Sequence, residues 1–191
     1  MSRLAEKIGL VIPGNEATLE QIKPFIKEKK LGKNDFLLQA GAVCKKIIIV
    51  CKGSCYMYRN KDGKEEVVEF YFEDMLCSDY VSFIRQTPAD NSIRALEDSV
   101  VEEMSYDDLH HLYDTLLPIE RAGRIITESL FCGIVKRMLS YQNDSPEVRY
   151  QKLIEQRPIV FKRVPQYLIA SFLGVTPVGL SKIRKRLHNN G

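Results

Sequence analysis

The chain has 191 residues, 45% of them hydrophobic and 28% charged, and a formal net charge of +3. That length suits one large or two small domains, and the spread of Leu, Ile, Val, Phe and Tyr can fill a core, which excludes a disordered chain. The longest apolar run, Ile47-Ile48-Ile49-Val50-Cys51, is strand-sized and far below the ~20 residues of a bilayer span, and the opening Met1 to Lys7 lacks the continuous apolar stretch of a secretory signal. The expectation is a cytoplasmic protein with no membrane partner.

Five cysteines (Cys44, Cys51, Cys55, Cys77, Cys132) form an odd, irregular set, which reads as reduced thiols packed as small apolar groups. There is no C-x-x-C pair, and His110, His111 and His188 have no spacing that suits a metal, so no metal ligands are assigned. No Ser–His–Asp arrangement or phosphate-binding loop stands out either; no catalytic residue is assigned and an enzyme is not expected.

In chain order, Ala17 to Lys29 carries Leu19, Ile22, Phe25 and Ile26 at helical spacing and predicts a helix. From Asp35 to Ser105, short β-branched and aromatic runs are punctuated by turn signals such as Lys52-Gly53 and Asn60-Lys61-Asp62-Gly63. Cys55 to Arg59, an Asp-Gly turn and Glu65 to Phe72 predict a β-hairpin. Strands so spaced, without helices between them, predict an antiparallel sandwich or barrel. Ser105 caps a helix with acids in its first turn.

Pro118 opens a long helix of about 24 residues, or about 36 Å at 1.5 Å per residue. One row on it is Ile119, Ala122, Ile126, Ser129 and Gly133; a second is Ile125, Cys132, Val135 and Leu139. Two apolar stripes must both be buried. One can cover the β-domain, and the other, with small Ser129 and Gly133, can meet a second copy of the chain; the alternative is one broad stripe on a monomer core. Asn143-Asp144-Ser145-Pro146 ends this helix, and Pro146 occupies the first position of the next.

Charge is unevenly placed. From Ser145 to Gly191 there are nine basic residues and two acids, a net of +7, against −4 for the remainder. A basic quarter on an acidic body is the footprint of a nucleic-acid-binding module, or, more simply, of a solvated tail.

Residues 165 to 187 favour the first reading, because they fit a helix-turn-helix position by position. Ala170 is small where the second helix crosses. Gly174 supplies the left-handed residue that ends the first helix. Thr176 caps the second, with Pro177 in its first turn. Ile169, Leu173, Val175, Leu180 and Ile183 bury the junction. A 100° projection turns Leu180, Ile183 and Leu187 inward and Val178, Lys182 and Lys185 outward, flanked by Ser181 and Arg186. Lys182 is then a donor to a guanine edge and Val178 an apolar contact for a thymine methyl, while Gln166, Thr176, Lys185 and Arg186 hold phosphates.

With its β-rich start, long helix and terminal motif, the chain resembles the Crp/Fnr family of bacterial transcription regulators, most of all the short members common in Bacteroidetes. The segments that carry the resemblance are Gly41-Ala42-Val43-Cys44, Lys52-Gly53, Ala95-Leu96-Glu97-Asp98-Ser99, Arg163-Val164-Pro165-Gln166 and Ile183-Arg184-Lys185-Arg186-Leu187. It implies an α+β fold: an N-terminal antiparallel β-roll, jelly-roll-like, with flanking helices (1–115), a dimerisation helix (116–143) and a C-terminal helix-turn-helix of winged-helix type with its wing truncated (144–191). It further implies a homodimer on a palindromic promoter in double-stranded DNA, with RNA polymerase as partner; the alternative is an interaction module of the same fold that has lost DNA binding.

Relatives that bind cyclic AMP hold the ribose with a Gly-Glu pair and the cyclic phosphate with an Arg-Ser pair. The corresponding stretches here run Asp74 to Asp79 and Ala89 to Arg94, without the phosphate arginine and with Asp90 repelling an anion. Cyclic AMP is therefore not the expected effector, Arg94 reads as a surface or ion-pair residue, and Cys77, Ser78, Asp90 and Asn91 would line a pocket for an unidentified one. Iron–sulfur oxygen sensing needs an N-terminal cysteine cluster, yet the first cysteine is Cys44. Val178 and Lys182 stand where relatives often have Glu and Arg, so the operator need not be the family's usual one.

Overall fold

The computed structural model describes residues 2–189; Met1, Asn190 and Gly191, which the sequence-based domain ranges include, lie outside the described residues. The chain divides into two compact units, residues 1–57 with 70–130 and residues 58–69 with 131–191.

The first unit begins with helix α1 (Arg3–Gly9), capped by Ser2 and tied at its start by the Glu102 carboxylate, which accepts from Leu4 N at 2.8 Å and Arg3 N at 3.2 Å. Helix α2 (Glu16–Ile22) is shorter than the sequence pattern predicts. A single 3₁₀ turn over Lys23–Phe25 follows it, and then strand β1 (Lys27–Leu31). The expected helix to Lys29 is thus corrected. Pro24 has no N–H to continue α2, and β1 finds its backbone partners in β7 (Ser99–Ser105), Lys27 opposite Glu103 through Leu31 opposite Ser99.

Two antiparallel sheets form the predicted roll. One has the order β1-β7-β3, with β3 at Lys46–Lys52; the other has the order β2-β6-β4-β5, with β2 at Phe36–Leu38, β6 at Ser92–Ala95, β4 at Cys55–Lys61 and β5 at Lys64–Tyr71. The β4–β5 hairpin turns on Asp62 (φ 52°) and Gly63 (φ 76°), the paired left-handed residues of a type I′ turn. At Gly53 (φ +94°) a Cβ would fall 2.2 Å from Ser99 Oγ, so glycine alone fits. Ile49, Phe70, Phe83 and Ile93 are buried in the first unit, each worth roughly 1.5–3 kcal/mol on transfer from water. The cysteines are free, with Cys44, Cys55 and Cys77 buried; Cys51 is pushed up to about 11 by burial and by the Glu102 charge.

Helices α3 (Tyr80–Arg85) and α4 (Tyr106–Thr115) flank the roll; α4 opens on Ser105, whose hydroxyl accepts from Asp108 N at 3.0 Å. The long helix is α5 (Leu117–Asn143), which supplies residues to both units. In the second unit follow α6 (Pro146–Gln156), α7 (Ile159–Arg163), α8 (Gln166–Phe172) and α9 (Pro177–Asn189). Ser145 caps α6 through Val148 N at 3.3 Å, with Pro146 at the first position. No described helix is long and apolar enough to cross a membrane.

Candidate nucleic-acid interface

Helix α8 ends because Gly174 adopts φ +69°. Its N–H donates to Ser171 O and the Val175 N–H to Ala170 O, both at 3.0 Å, the paired bonds of a Schellman cap. Thr176 then starts α9: its Oγ1 accepts from Gly179 N at 3.0 Å and its carbonyl from Leu180 N at 2.9 Å. Leu168, Ile169, Ala170, Leu173, Leu180 and Ile183 are buried between the helices, which fixes their crossing. Gly179 is costly inside a helix. A Cβ there would be in ordinary contact with Val175 Cβ at 3.6 Å but only 3.3 Å from Thr176 Oγ1, so the capping oxygen would have to give by a few tenths of an ångström.

The outward row stands in solvent. Val178 is 67% exposed, and Gln166, Thr176, Ser181, Lys182, Lys185 and Arg186 are exposed with it. Arg186 pairs with Glu147 at 3.1 Å, whereas Lys182, Arg184 and Lys185 form no ion pair among the described residues. Two cations that contribute to the basic balance are ion-paired within the second unit instead. Lys152 binds Asp144 at 2.6 Å and Arg157 binds Glu69 at 2.6 Å. Lys152 and the Ser140 hydroxyl hold the Asp144 carboxyl below its ordinary value.

Two residues with no signal in the sequence brace the motif. Arg149 reaches Leu173 O at 3.0 Å and Asp144 O at 2.7 Å, and its guanidinium lies 5.0 Å from the Tyr141 ring centre. The Tyr141 hydroxyl donates to Phe172 O, and burial pushes its pKa up against the pull of Arg137 and Arg149. Together they satisfy carbonyls at the end of α8 that the helix leaves without partners.

The row expected at the dimer interface is buried at its start and exposed at Ser129 and Gly133. Ile119 and Ala122 are buried in the first unit, and Ile126 is half-buried, so this row faces its own subunit's core over that length. The exposed apolar face of α5 is another: Phe131 at 65%, Ile134 at 57% and Met138 at 51%, with Leu130 and Leu139 nearby. At 100° per residue, Ser129 and Gly133 lie more than about 100° from the centre of that row.

The residues expected around an effector differ in their exposure. Cys77 is fully buried and presents no atom to a ligand, which corrects its assignment. The Ser78 hydroxyl lies 2.7 Å from Cys77 O and 3.1 Å from Lys46 O, with one proton to share between them, and Asp90 is exposed. Asn91 donates to buried Asp79 at 2.8 Å, while the other Asp79 oxygen caps α3 through Ser82 N at 3.1 Å. The Arg94 guanidinium lies over the Phe36 and Tyr56 rings at 5.8 and 5.2 Å and donates to the Tyr56 hydroxyl. A cleft of about 270 Å³ lies elsewhere in the first unit, between the α1–α2 connection (Val11, Ile12, Pro13, Asn15) and Leu117, Pro118 and Arg121 of α5.

Residues 28–115 match the cyclic nucleotide-binding domain family. No curated protein matches the sequence. FixK2 from Bradyrhizobium japonicum superimposes with a TM-score of 0.74 at 14% identity, over 87% of this chain and 86% of that one. A CooA mutant from Carboxydothermus hydrogenoformans gives 0.68 at 15%, over 90% and 80%. CLP of Xanthomonas campestris, a c-di-GMP responsive global regulator linking cell–cell signalling to virulence gene expression, gives 0.68 at 16%, over 93% of both chains. The α3 N-terminus carries the Asp79 carboxylate, and Asp90 stands exposed in the loop between α3 and β6.

Proposed function

We propose that this chain, whose residues 28–115 are a cyclic nucleotide-binding-type domain and whose fold is that of the Crp/Fnr regulators, is a dimeric, sequence-specific DNA-binding regulator of transcription. The observation that carries the reading is the braced α8–α9 pair: Leu180 and Ile183 are buried beneath it, while Val178, Lys182 and Lys185 stand exposed. Such a ridge enters a major groove with Lys182 and Val178 on base edges and Lys185, Arg186, Thr176 and Gln166 on phosphates. Residues 1–115 form the sensor, 116–143 the dimer helix and 144–191 the DNA reader.

The second copy docks on the Phe131–Ile134–Met138 face of α5, since a row of that size left in water is a liability unless something covers it. Two copies related by a twofold axis read a palindrome with half-sites one helical turn apart, ~34 Å, and act on transcription through RNA polymerase. The sensor takes an effector other than cyclic AMP, or serves as a scaffold.

Selection of binding sites from random DNA tests the reading. The expected result is a palindrome bound with an affinity that falls steeply as salt rises. Recovery of no enriched sequence, with flat salt dependence, leaves the fold as a protein-interaction module.

A further inference from the structure

In the second unit the tip of the β4–β5 hairpin packs with the helices of the reader. The sheet order leaves β5 at an edge, where backbone donors and acceptors lack a neighbouring strand. One side chain of α8 closes part of that edge. The Ser171 hydroxyl accepts from Val67 N at 2.9 Å and donates to Glu65 O at 2.9 Å. A hydroxyl can satisfy a donor and an acceptor at once, which few side chains of that size do.

Glu69, two residues further along β5, makes a second attachment. One carboxylate oxygen accepts from Arg157 at the end of α6 at 2.6 Å, and the other accepts from Arg137 on α5. The carboxylate side chain is 21% exposed and the arginines 32% and 25%, so water screens these charge-assisted bonds less than an open surface pair. Removing the charge would leave two guanidinium groups facing one another.

We propose that Ser171 and Glu69 are positioning residues: they clamp the hairpin onto α5, α6 and α8 and so set the orientation of the motif that carries α9. This rests on the DNA-reading role of α9.

Hydrogen exchange on the full chain, read alongside affinity for the selected DNA site, tests the clamp. Ser171→Ala should speed exchange at the Val67 amide at least about tenfold, and Ser171→Thr, which keeps the hydroxyl, should restore it. Glu69→Gln should speed exchange across residues 64–69. Exchange in β1 and β7 should not change in either variant. Both Ser171→Ala and Glu69→Gln should weaken specific DNA binding about five- to tenfold. Unchanged Val67 exchange in Ser171→Ala overturns the clamp, and faster exchange with undiminished DNA affinity overturns its positioning role. A wild-type chain that binds no DNA sinks the reading of α9 instead, while the exchange pair still decides whether the hairpin is clamped.

Discussion

The stretch around Asp79 and the exposed ridge on α9 handle charged groups in opposite ways. Asp79 is buried, caps α3 and takes the Asn91 amide, and Arg94 is held by Tyr56 and Phe36. On α9, Lys182, Arg184 and Lys185 stand exposed and form no ion pair among the described residues. A charge that has internal partners stabilises its own fold and offers little to a ligand. A charge left in water is cheap to hold and free to bind an anion. The chain's free cations thus stand on its C-terminal helices, even though the family match lies in the roll.

The largest way to break this contrast is to deny the reader its second copy. Replacing Phe131 and Ile134 together by Asp should convert dimer to monomer by sedimentation at micromolar concentration and weaken binding to the palindrome on the order of 100-fold, because one half-site contributes far less than two. A variant that stays dimeric would place the interface elsewhere on α5. Next in size, Lys182→Ala should cost about 1–3 kcal/mol on the selected site and little on random DNA. Equal losses on both would assign Lys182 to phosphate.

The contrast also sharpens inside the reader, where cations divide between structure and recognition. Arg149→Ala removes charged hydrogen bonds to Leu173 O and Asp144 O and should lower stability by about 1.5–3 kcal/mol in denaturant unfolding. Its effect on DNA should follow from the loosened motif and vanish when binding is compared at equal folded fraction. Asp144 gives a pH signature. Its carboxyl is depressed in the fold by Lys152 and Ser140, so its contribution is present above the unfolded carboxylate range, near 3.9, and is lost as pH falls through the lower folded value. Thermal melts of wild type and Asp144→Asn should differ at pH 6 and converge towards pH 2–3.

What the sequence made legible was local. Gly174 and Thr176 act on backbone groups within a few residues, and Asp62-Gly63 turns its own hairpin, so caps and turns could be read directly. The spacing of Leu19, Ile22 and Phe25 extends a helix past Pro24 over Lys27–Lys29, whereas these residues form a strand because their partner, β7, is distant in sequence. The faces of α5 are hard to rank from sequence for a related reason. Small residues at Ser129 and Gly133 suggest close approach, but which stripe meets the subunit's own core is a tertiary fact. Arg149 and Tyr141 carry no motif; only the folded chain brings them to the end of α8.

The smallest expected effect tests whether the reader's one apparent flaw belongs to its cap. Alanine in place of Gly179 should gain up to ~1 kcal/mol in helix propensity. That gain is opposed because the new Cβ would sit 3.3 Å from the Thr176 hydroxyl oxygen that accepts from Gly179 N. The net change in wild type should fall within about 0.5 kcal/mol of zero, with the larger part recovered in a Thr176→Ala background, where nothing is crowded and no cap remains to lose. A double-mutant cycle measures the coupling directly. If Gly179→Ala gains the same in both backgrounds, the cap does not require the glycine, and its place on α9 would have to be explained by what approaches that flank of the helix from outside.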